Sequence, residues 1–207
     1  MRTIVYIDGF NLYYGALKGT PNKWLDVSTL CRSILKPHND IIKIKYFTAR
    51  VSARPNDPSQ PQRQDIYFRA LQSYCPEVEF YFGHFLSHAV SAPLENPTPA
   101  AKFVKVIKTE EKGSDVNLAV HLVNDCWLDA YDCAVVISND SDIAEAMRLV
   151  KLHSSKAIGL VTPGNRHPSQ QLKTHADFSL RLRPHILKAS QLPSQIPGTN
   201  ITKPMQW

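Results

Sequence analysis

The length, composition and charge of the chain are those of an ordinary globular protein. Its 207 residues suffice for one domain with a substantial core, and the 43% of hydrophobic and 20% of charged residues exclude an intrinsically disordered chain. The 24 Lys and Arg against 18 Asp and Glu give a net charge of +6, which either favours a polyanionic partner or only aids solubility.

The first half of the chain alternates strand and helix patterns. Residues 3–7 (TIVYI) form a β-branched run that ends at Asp8-Gly9, which is typical of a buried strand followed by a turn. Asp26 is predicted to cap the second of three helices. The predicted strands are residues 3–7, 41–51 and 78–86, the predicted helices are 11–18, 27–35 and 64–74, and residues 52–62 form a Pro-rich surface loop.

The second half continues this pattern after a Pro-rich stretch, residues 87–101, that we expect to be irregular. The alternating Phe103, Lys105 and Ile107 then predict a half-exposed strand or hairpin arm. The remaining predicted helices are residues 114–128 and 143–152, and the remaining strands are 133–137, 157–161 and a short 176–180.

Buried apolar strands separated by helices predict a doubly wound α/β fold. Such βαβ units give a mainly parallel central sheet that is covered on both faces. We expect one domain over residues 1–188. From Ala189 onward the chain is polar and Pro-rich, so residues 189–207 are predicted to form a flexible tail, with Trp207 as a candidate contact for a partner.

The N-terminus and the cysteines favour a cytoplasmic protein that does not enter a membrane. The first apolar run is too short for a signal peptide, and no window approaches a membrane span. The cysteines lack C-x-x-C spacing and are expected to be reduced, partly buried thiols: Cys31, Cys75, Cys126 and Cys133.

Aspartates follow two of the predicted strands and begin one helix. Asp8 follows the first strand, Asp140 and Asp142 follow a later one, and Asp115 lies in the first turn of the clearest helix. Because ligands of an open parallel sheet bind beyond the carboxyl ends of its strands, we expect these carboxylates to meet at one edge. Simpler interpretations stay open: Asp8 in a turn, Asp115 as a partner of the helix dipole, and Asp142 as a helix cap.

A cluster of carboxylates calls for a cation, since mutual repulsion would otherwise raise their pKa values. Oxygen ligands favour Mg²⁺ or Mn²⁺ over zinc, and such an ion can activate water against a scissile phosphate. Asn11, three residues after Asp8, is a candidate for orienting a carboxylate or contacting substrate.

Other chemistries lack their sequence patterns. No Cys or His pair has structural-zinc spacing, and neither a G-x-S-x-G elbow nor a nucleotide-binding glycine motif is present. A phosphatase of the haloacid-dehalogenase type needs a second acid two positions after the nucleophile, where this chain has Phe10.

Four segments, in this order, resemble the NYN domains, the branch of PIN-like nucleases that includes the bacterial LabA-like proteins. They are YIDGFNLYYG (6–15), EKGSDVNLAV (111–120), VVISNDSDI (135–143) and LKTHADFSLRL (172–182). The resemblance implies a three-layer α/β/α sandwich with a metal-dependent ribonuclease site. At matching positions it implies acidic metal ligands at Asp8, Asp115, Asp140 and Asp142, polar supports at Asn11 and Ser138, and weaker candidates at Glu111 and Lys112.

Three positions depart from the family's pattern. The family commonly has S-G-D-S-D-F where this chain has Asn139 and Ile143, and an acidic residue is frequent at the position of His121. The aspartates are retained, so the first two departures are compatible with the site. His121 is expected to change the electrostatics beside the helix or a substrate contact.

Basic side chains near this edge are candidates for holding RNA phosphates, although for any single one a solvated surface position is the simpler interpretation. These candidates are Arg50, Arg54, Arg63, Lys105, Lys108 and Lys112. Tyr13 and Tyr14 either stack on a base or pack beneath the first helix.

We therefore interpret the chain as a metal-dependent endoribonuclease that hydrolyses RNA phosphodiester bonds with Mg²⁺ or Mn²⁺. The alternatives are a non-catalytic RNA-binding or regulatory NYN module with a vestigial acidic site, and a protein-interaction scaffold. A homo-oligomer and a partner for the tail stay open.

Overall fold

A computed structural model describes residues 1–99 and 101–207. Its seven strands are β1 (Arg2–Asp8), β2 (Asp40–Ala49), β3 (Val78–Pro93), β4 (Phe103–Lys112), β5 (Cys133–Ile137), β6 (Ala157–Thr162) and β7 (Phe178–Arg181). They form one sheet in the order β4-β3-β2-β1-β5-β6-β7. Neighbours pair in parallel except β3 and β4, which are antiparallel, so the predicted α/β class with a mainly parallel sheet is confirmed.

Helices cover both faces of the sheet. They are α1 (Gly9–Leu12) with a π-helical turn (Tyr13–Leu17), α2 (Val27–Ile34), α3 (Gln60–Tyr74), α4 (Ser114–Trp127), α5 (Ala144–His153) after a 3₁₀ turn (Ser141–Ile143), α6 (Gln170–Thr174) and α7 (Pro184–Ala189). Asp26 caps α2 as predicted, because its Oδ1 accepts a 2.9 Å hydrogen bond from the Thr29 N–H.

The alternating side chains of β1 divide the core into two layers. Val5 and Ile7 pack with α2, α3 and α7, whereas Ile4 and Tyr6 pack with α4 and α5. Because all four side chains are nearly inaccessible to solvent, β1 is buried on both faces, as its continuous apolar run predicts.

The Pro-rich stretch 87–101 is not irregular throughout, as the sequence suggested. Residues 87–93 continue β3 and pair with β4 in a hairpin whose register runs from His84 opposite Lys112 to Pro93 opposite Phe103. The prediction was wrong because it took the prolines as a sign of irregular structure. Pro93 is the last residue of its strand, where the missing N–H costs little. Residue 100 lies outside the described residues.

The four cysteines are free and buried. Among residues 1–99 and 101–207, no helix is both long and apolar enough to cross a membrane.

The segment expected to be a flexible tail lies against the domain instead. Leu192 and Ile196 are buried in the same core layer as α2 and α3. The Trp207 ring packs 5.3 Å from that of Trp24, and the Trp24 indole N–H donates a 2.9 Å hydrogen bond to the Pro193 carbonyl oxygen. Composition suggested flexibility, but isolated apolar side chains between the prolines are enough to hold this segment on the core.

Truncating Ile196 should therefore destabilise the protein. We expect Ile196→Ala to lower the free energy of unfolding by about 2–5 kcal/mol, as for other deletions of a buried aliphatic side chain. Met205→Ala, in the same segment but fully exposed, should change it by less than about 0.5 kcal/mol. Urea unfolding measures both, and equal effects of the two changes would mean that the segment is not packed in solution.

Candidate active site

Asp8 is held in place at the carboxyl end of β1, in the centre of the sheet. Its side chain is only 3% exposed. Oδ1 accepts a hydrogen bond from the Asn11 N–H at 2.8 Å and so caps α1, and Oδ2 accepts one from the Ser138 hydroxyl at 2.8 Å. Because Ser138 follows the neighbouring strand β5, this carboxylate ties two strand ends together.

The loop after β5 is fixed by the same group of side chains. The Asn11 side-chain oxygen accepts the N–H of Asn139 at 3.0 Å, and the Ser138 hydroxyl oxygen accepts that of Asp140 at 3.0 Å. The Asn139 amide in turn donates to the carbonyl oxygen of His167 and accepts the N–H of Ser169. Asn139, a departure from the usual glycine, therefore links this loop to the one after β6.

Three of the predicted carboxylates face one open cleft of about 340 Å³ at this edge: Asp8, Asp115 and Asp140. Asp115 arrives from the first turn of α4, whose start is fixed by Glu111. The Glu111 carboxylate accepts hydrogen bonds from both the N–H (3.1 Å) and the hydroxyl (2.7 Å) of Ser114. The cleft is also lined by Phe10, Asn11, Tyr14, Gly15, Phe85, Glu111, Ser114, Asn139, Pro163 and Arg166.

Negative charge is disfavoured in this cleft. Burial raises the pKa of Asp8 from its ordinary 3.8 to about 6; the charges of Asp115 and Asp140 also raise it, against the hydrogen bonds from Asn11 and Ser138. Burial and the charges of Asp140, Glu111 and Asp142 likewise raise the pKa of Asp115. A cation between these carboxylates would relieve the repulsion.

The pKa of Asp8 predicts how stability depends on pH when metal is chelated. A carboxyl group whose pKa is higher in the folded than in the unfolded protein stabilises the fold when protonated, and this contribution is lost as pH rises through about 6. We expect the free energy of unfolding of the wild type, relative to Asp8→Asn, to fall by on the order of 3 kcal/mol between pH 4 and pH 7.5. Parallel pH curves for the two proteins in chelator would contradict this expectation.

The two remaining predicted site residues, Ser138 and Asp142, do not line the cleft. Ser138 is buried behind Asp8. Asp142 is exposed and does not line the cleft, although its N–H donates to Asp140 Oδ1 at 3.0 Å. Among the described residues, no group of three or more His, Cys, Asp or Glu side chains is arranged to hold a metal ion. The set of four metal ligands therefore stays a prediction.

None of the six basic candidates lines the acidic cleft. Arg54 and Arg63 border a second cavity, and Arg50 lies over the Phe82 ring. The three lysines are on β4, in the hairpin, where Lys108 and Lys112 pair with Glu110.

Arg166 lines the cleft, but it was not identified as a candidate from the sequence. It follows β6, so the rule that identified the aspartates, namely polar residues beyond strand ends, would also have found it.

Two glycines, Gly9 in the 6–15 segment and Gly164 after β6, allow close backbone approach around the site. A Cβ atom on Gly9 would lie 2.8 Å from the Phe47 carbonyl oxygen. Gly164, in the turn after β6, has a φ of +72°, and a Cβ there would lie 2.0 Å from the Gly15 carbonyl oxygen. These contacts bring the chain after Asp8 close to its neighbours on both sides.

His121 lies outside the cleft lining. Its ring packs 4.1 Å from that of Tyr81, and its Nδ1 is 3.2 Å from the Lys45 ammonium nitrogen. This departure from the family pattern therefore changes the face of α4 that packs on the sheet.

Comparisons with known proteins identify relatives across the whole chain. A family model described as the NYN domain matches residues 2–182. The 6-hydroxy-3-succinoylpyridine 3-monooxygenase HspA of Pseudomonas putida is 36% identical over 240 aligned residues, which cover 100% of this chain and 75% of that protein. The crystal structure of a protein of unknown function from Vibrio parahaemolyticus has the same fold, with a TM-score of 0.56, 15% identity and coverage of 88% of this chain and 93% of that one.

Proposed function

Because the chain belongs to the NYN domain family, which has a PIN-like nuclease fold, we propose that it is a metal-dependent endoribonuclease. The observation that carries this proposal is the convergence of Asp8, Asp115 and Asp140 from three separate segments on one cleft, with the pKa values of Asp8 and Asp115 raised. Carboxylates whose pKa values are raised by burial and by neighbouring charges in a cleft are typical of functional sites.

The chemistry of these side chains fits Mg²⁺ or Mn²⁺. Oxygen donors are the ligands that such ions prefer, and mutual repulsion among the carboxylates favours a bound cation. The fit lies in donor type and charge and not in a completed coordination shell. Asp8, Asp115 and Asp140 would hold the ion, and Asp142, whose charge also acts on Asp115, would be the fourth ligand.

In this proposal the chain's own residues position the reactants. When bound, the ion would lower the pKa of a coordinated water and offset the charge on the scissile phosphate. Ser138 and the Asn11 backbone hold the Asp8 carboxylate in one orientation. Arg166, at the same cleft, would bind a phosphate oxygen of the RNA strand.

The test is cleavage of a mixed set of labelled RNAs by the purified protein. We expect products with Mn²⁺ or Mg²⁺ and none in chelator. Binding of RNA without cleavage under every metal would replace this proposal with that of a regulatory RNA-binding module.

A second candidate follows from the 36% identical relative, which is named as a monooxygenase of a substituted pyridine. A monooxygenase inserts one atom of O₂ into its substrate and reduces the other to water with two electrons from an external donor. Oxygen consumption with 6-hydroxy-3-succinoylpyridine and a reduced nicotinamide or flavin would support this activity. No consumption with either donor, together with metal-dependent RNA cleavage, would reject it.

A further inference from the structure

A second cavity, of about 220 Å³, lies beside the acidic cleft. The two spaces share Phe10, Tyr14 and Phe85 as lining residues, and the rings of Phe10 and Phe85 pack edge to face at 5.7 Å. The cavity is partly open to solvent and is therefore accessible to a ligand.

Aromatic rings form most of its apolar wall. They are Tyr13, Tyr46, Tyr67, Phe68 and Trp207, in addition to the shared rings. Trp207 is fixed by its packing against Trp24 and Tyr67, at 5.3 and 5.4 Å between ring centroids. Its indole N–H is buried without a hydrogen-bond partner among the described residues. Such walls favour a flat ring, which gains stacking and edge contacts beyond its buried area.

The charges around the cavity are mostly positive. Lys23, Arg54 and Arg63 line it, against the single carboxylate of Asp57. Arg63 is already paired with Asp57 at 2.6 Å. Lys23 and the exposed Arg54 have no side-chain partner in residues 1–99 and 101–207, so both are available to an anionic group.

We propose that this cavity binds a flat aromatic ring that carries an anionic group. The ring packs among the tyrosines and Trp207, and the anion is bound by Arg54 and Lys23. Two sources share this chemistry: a nucleotide of the strand that crosses the acidic cleft, and a free small aromatic acid. The ribonuclease proposal is not needed for this binding, because the acidic carboxylates lie outside the cavity.

Isothermal titration of the full chain in chelator separates the requirements for ring and charge. The probes are adenosine monophosphate against adenosine, benzoate against benzamide, and inorganic phosphate alone. We expect at least one charged aromatic probe to bind more tightly than both its neutral partner and phosphate. Binding of the nucleotide identifies an RNA residue as the ligand, and binding of benzoate identifies a free aromatic acid.

Matched variants locate the binding. Arg54→Gln should weaken the charged probe about tenfold, the worth of one charge-assisted hydrogen bond, whereas Arg183→Gln, at an exposed arginine outside the cavity lining, should not. Ligand binding should also quench tryptophan fluorescence. This quenching should be lost in Trp207→Phe and retained in Trp127→Phe.

The inference is overturned if neither charged aromatic probe binds, or if phosphate alone binds as tightly as the charged aromatic probe. It is also overturned if Arg54→Gln leaves the affinity for the charged probe unchanged. Cleavage of RNA without probe binding would overturn this inference alone. Probe binding without cleavage would leave it standing and count against the ribonuclease.

Discussion

Replacing Asp140 with asparagine is expected to lower the rate of RNA cleavage by on the order of 100-fold or more, because removing one preorganised electrostatic contact has this effect in other enzymes. Asp140 lines the acidic cleft, and its charge raises the pKa values of Asp8 and Asp115. Asparagine preserves its shape and can still accept the Asp142 N–H through its side-chain oxygen. The expected loss is therefore in cleavage and not in folding.

Two further variants make this result specific. Asp40→Asn changes an exposed aspartate at the start of β2, at the opposite edge of the sheet, and should cut at the wild-type rate. Asp142→Asn should have a smaller effect than Asp140→Asn, because Asp142 is exposed and does not line the cleft. Initial rates of cleavage with Mn²⁺, together with melting curves, measure all three. Wild-type cleavage by a folded Asp140→Asn protein would contradict the assignment of the acidic cleft as a nuclease site.

The central strands could be predicted from the sequence because a buried strand shows as a short, continuous run of apolar residues. Cys133–Ile137 is a continuous apolar run, and it forms β5 with the predicted bounds. Asp8 and Asp140 follow adjacent parallel strands, so the rule for strand ends brought them to one cleft.

The periphery was harder to predict because pairing between distant segments decides it. Residues 87–93 contain small residues and precede several prolines, and they become a strand only by pairing with β4. Leu192 and Ile196 are isolated among polar residues and prolines, and what buries them is a core layer built from other parts of the chain. The local composition of these segments does not reveal that they pair with β4 or pack on the core.

A buried ion pair beneath α4 was not predicted from the sequence. Lys45 and Asp125 are 5% and 6% exposed, and the Lys45 ammonium nitrogen is 2.6 Å from Asp125 Oδ2. The Tyr6 hydroxyl donates to the same oxygen at 2.6 Å. Burial and the Lys45 charge lower the pKa of His121, so its imidazole is neutral near pH 7 and can accept a hydrogen bond from the ammonium group.

Removing one partner of this pair should be far more costly than breaking an exposed one. We expect Lys45→Met to lower the free energy of unfolding by about 3–5 kcal/mol, because it leaves the Asp125 carboxylate buried without its cation. Arg148→Met breaks a pair of similar length, 2.7 Å to Glu145, that is exposed to solvent, and should lower it by less than about 1 kcal/mol. Urea unfolding at pH 7 measures both changes.

A second substitution should rescue the first. Asp125→Asn in the Lys45→Met background removes the unpaired charge and retains an oxygen that accepts the Tyr6 hydroxyl, so most of the lost stability should return. Non-additivity of this size is expected for groups that are in contact or belong to one hydrogen-bond or ion-pair network. If Lys45→Met is no more destabilising than Arg148→Met, or if the second substitution adds to the loss, the pair is not buried and charged in solution.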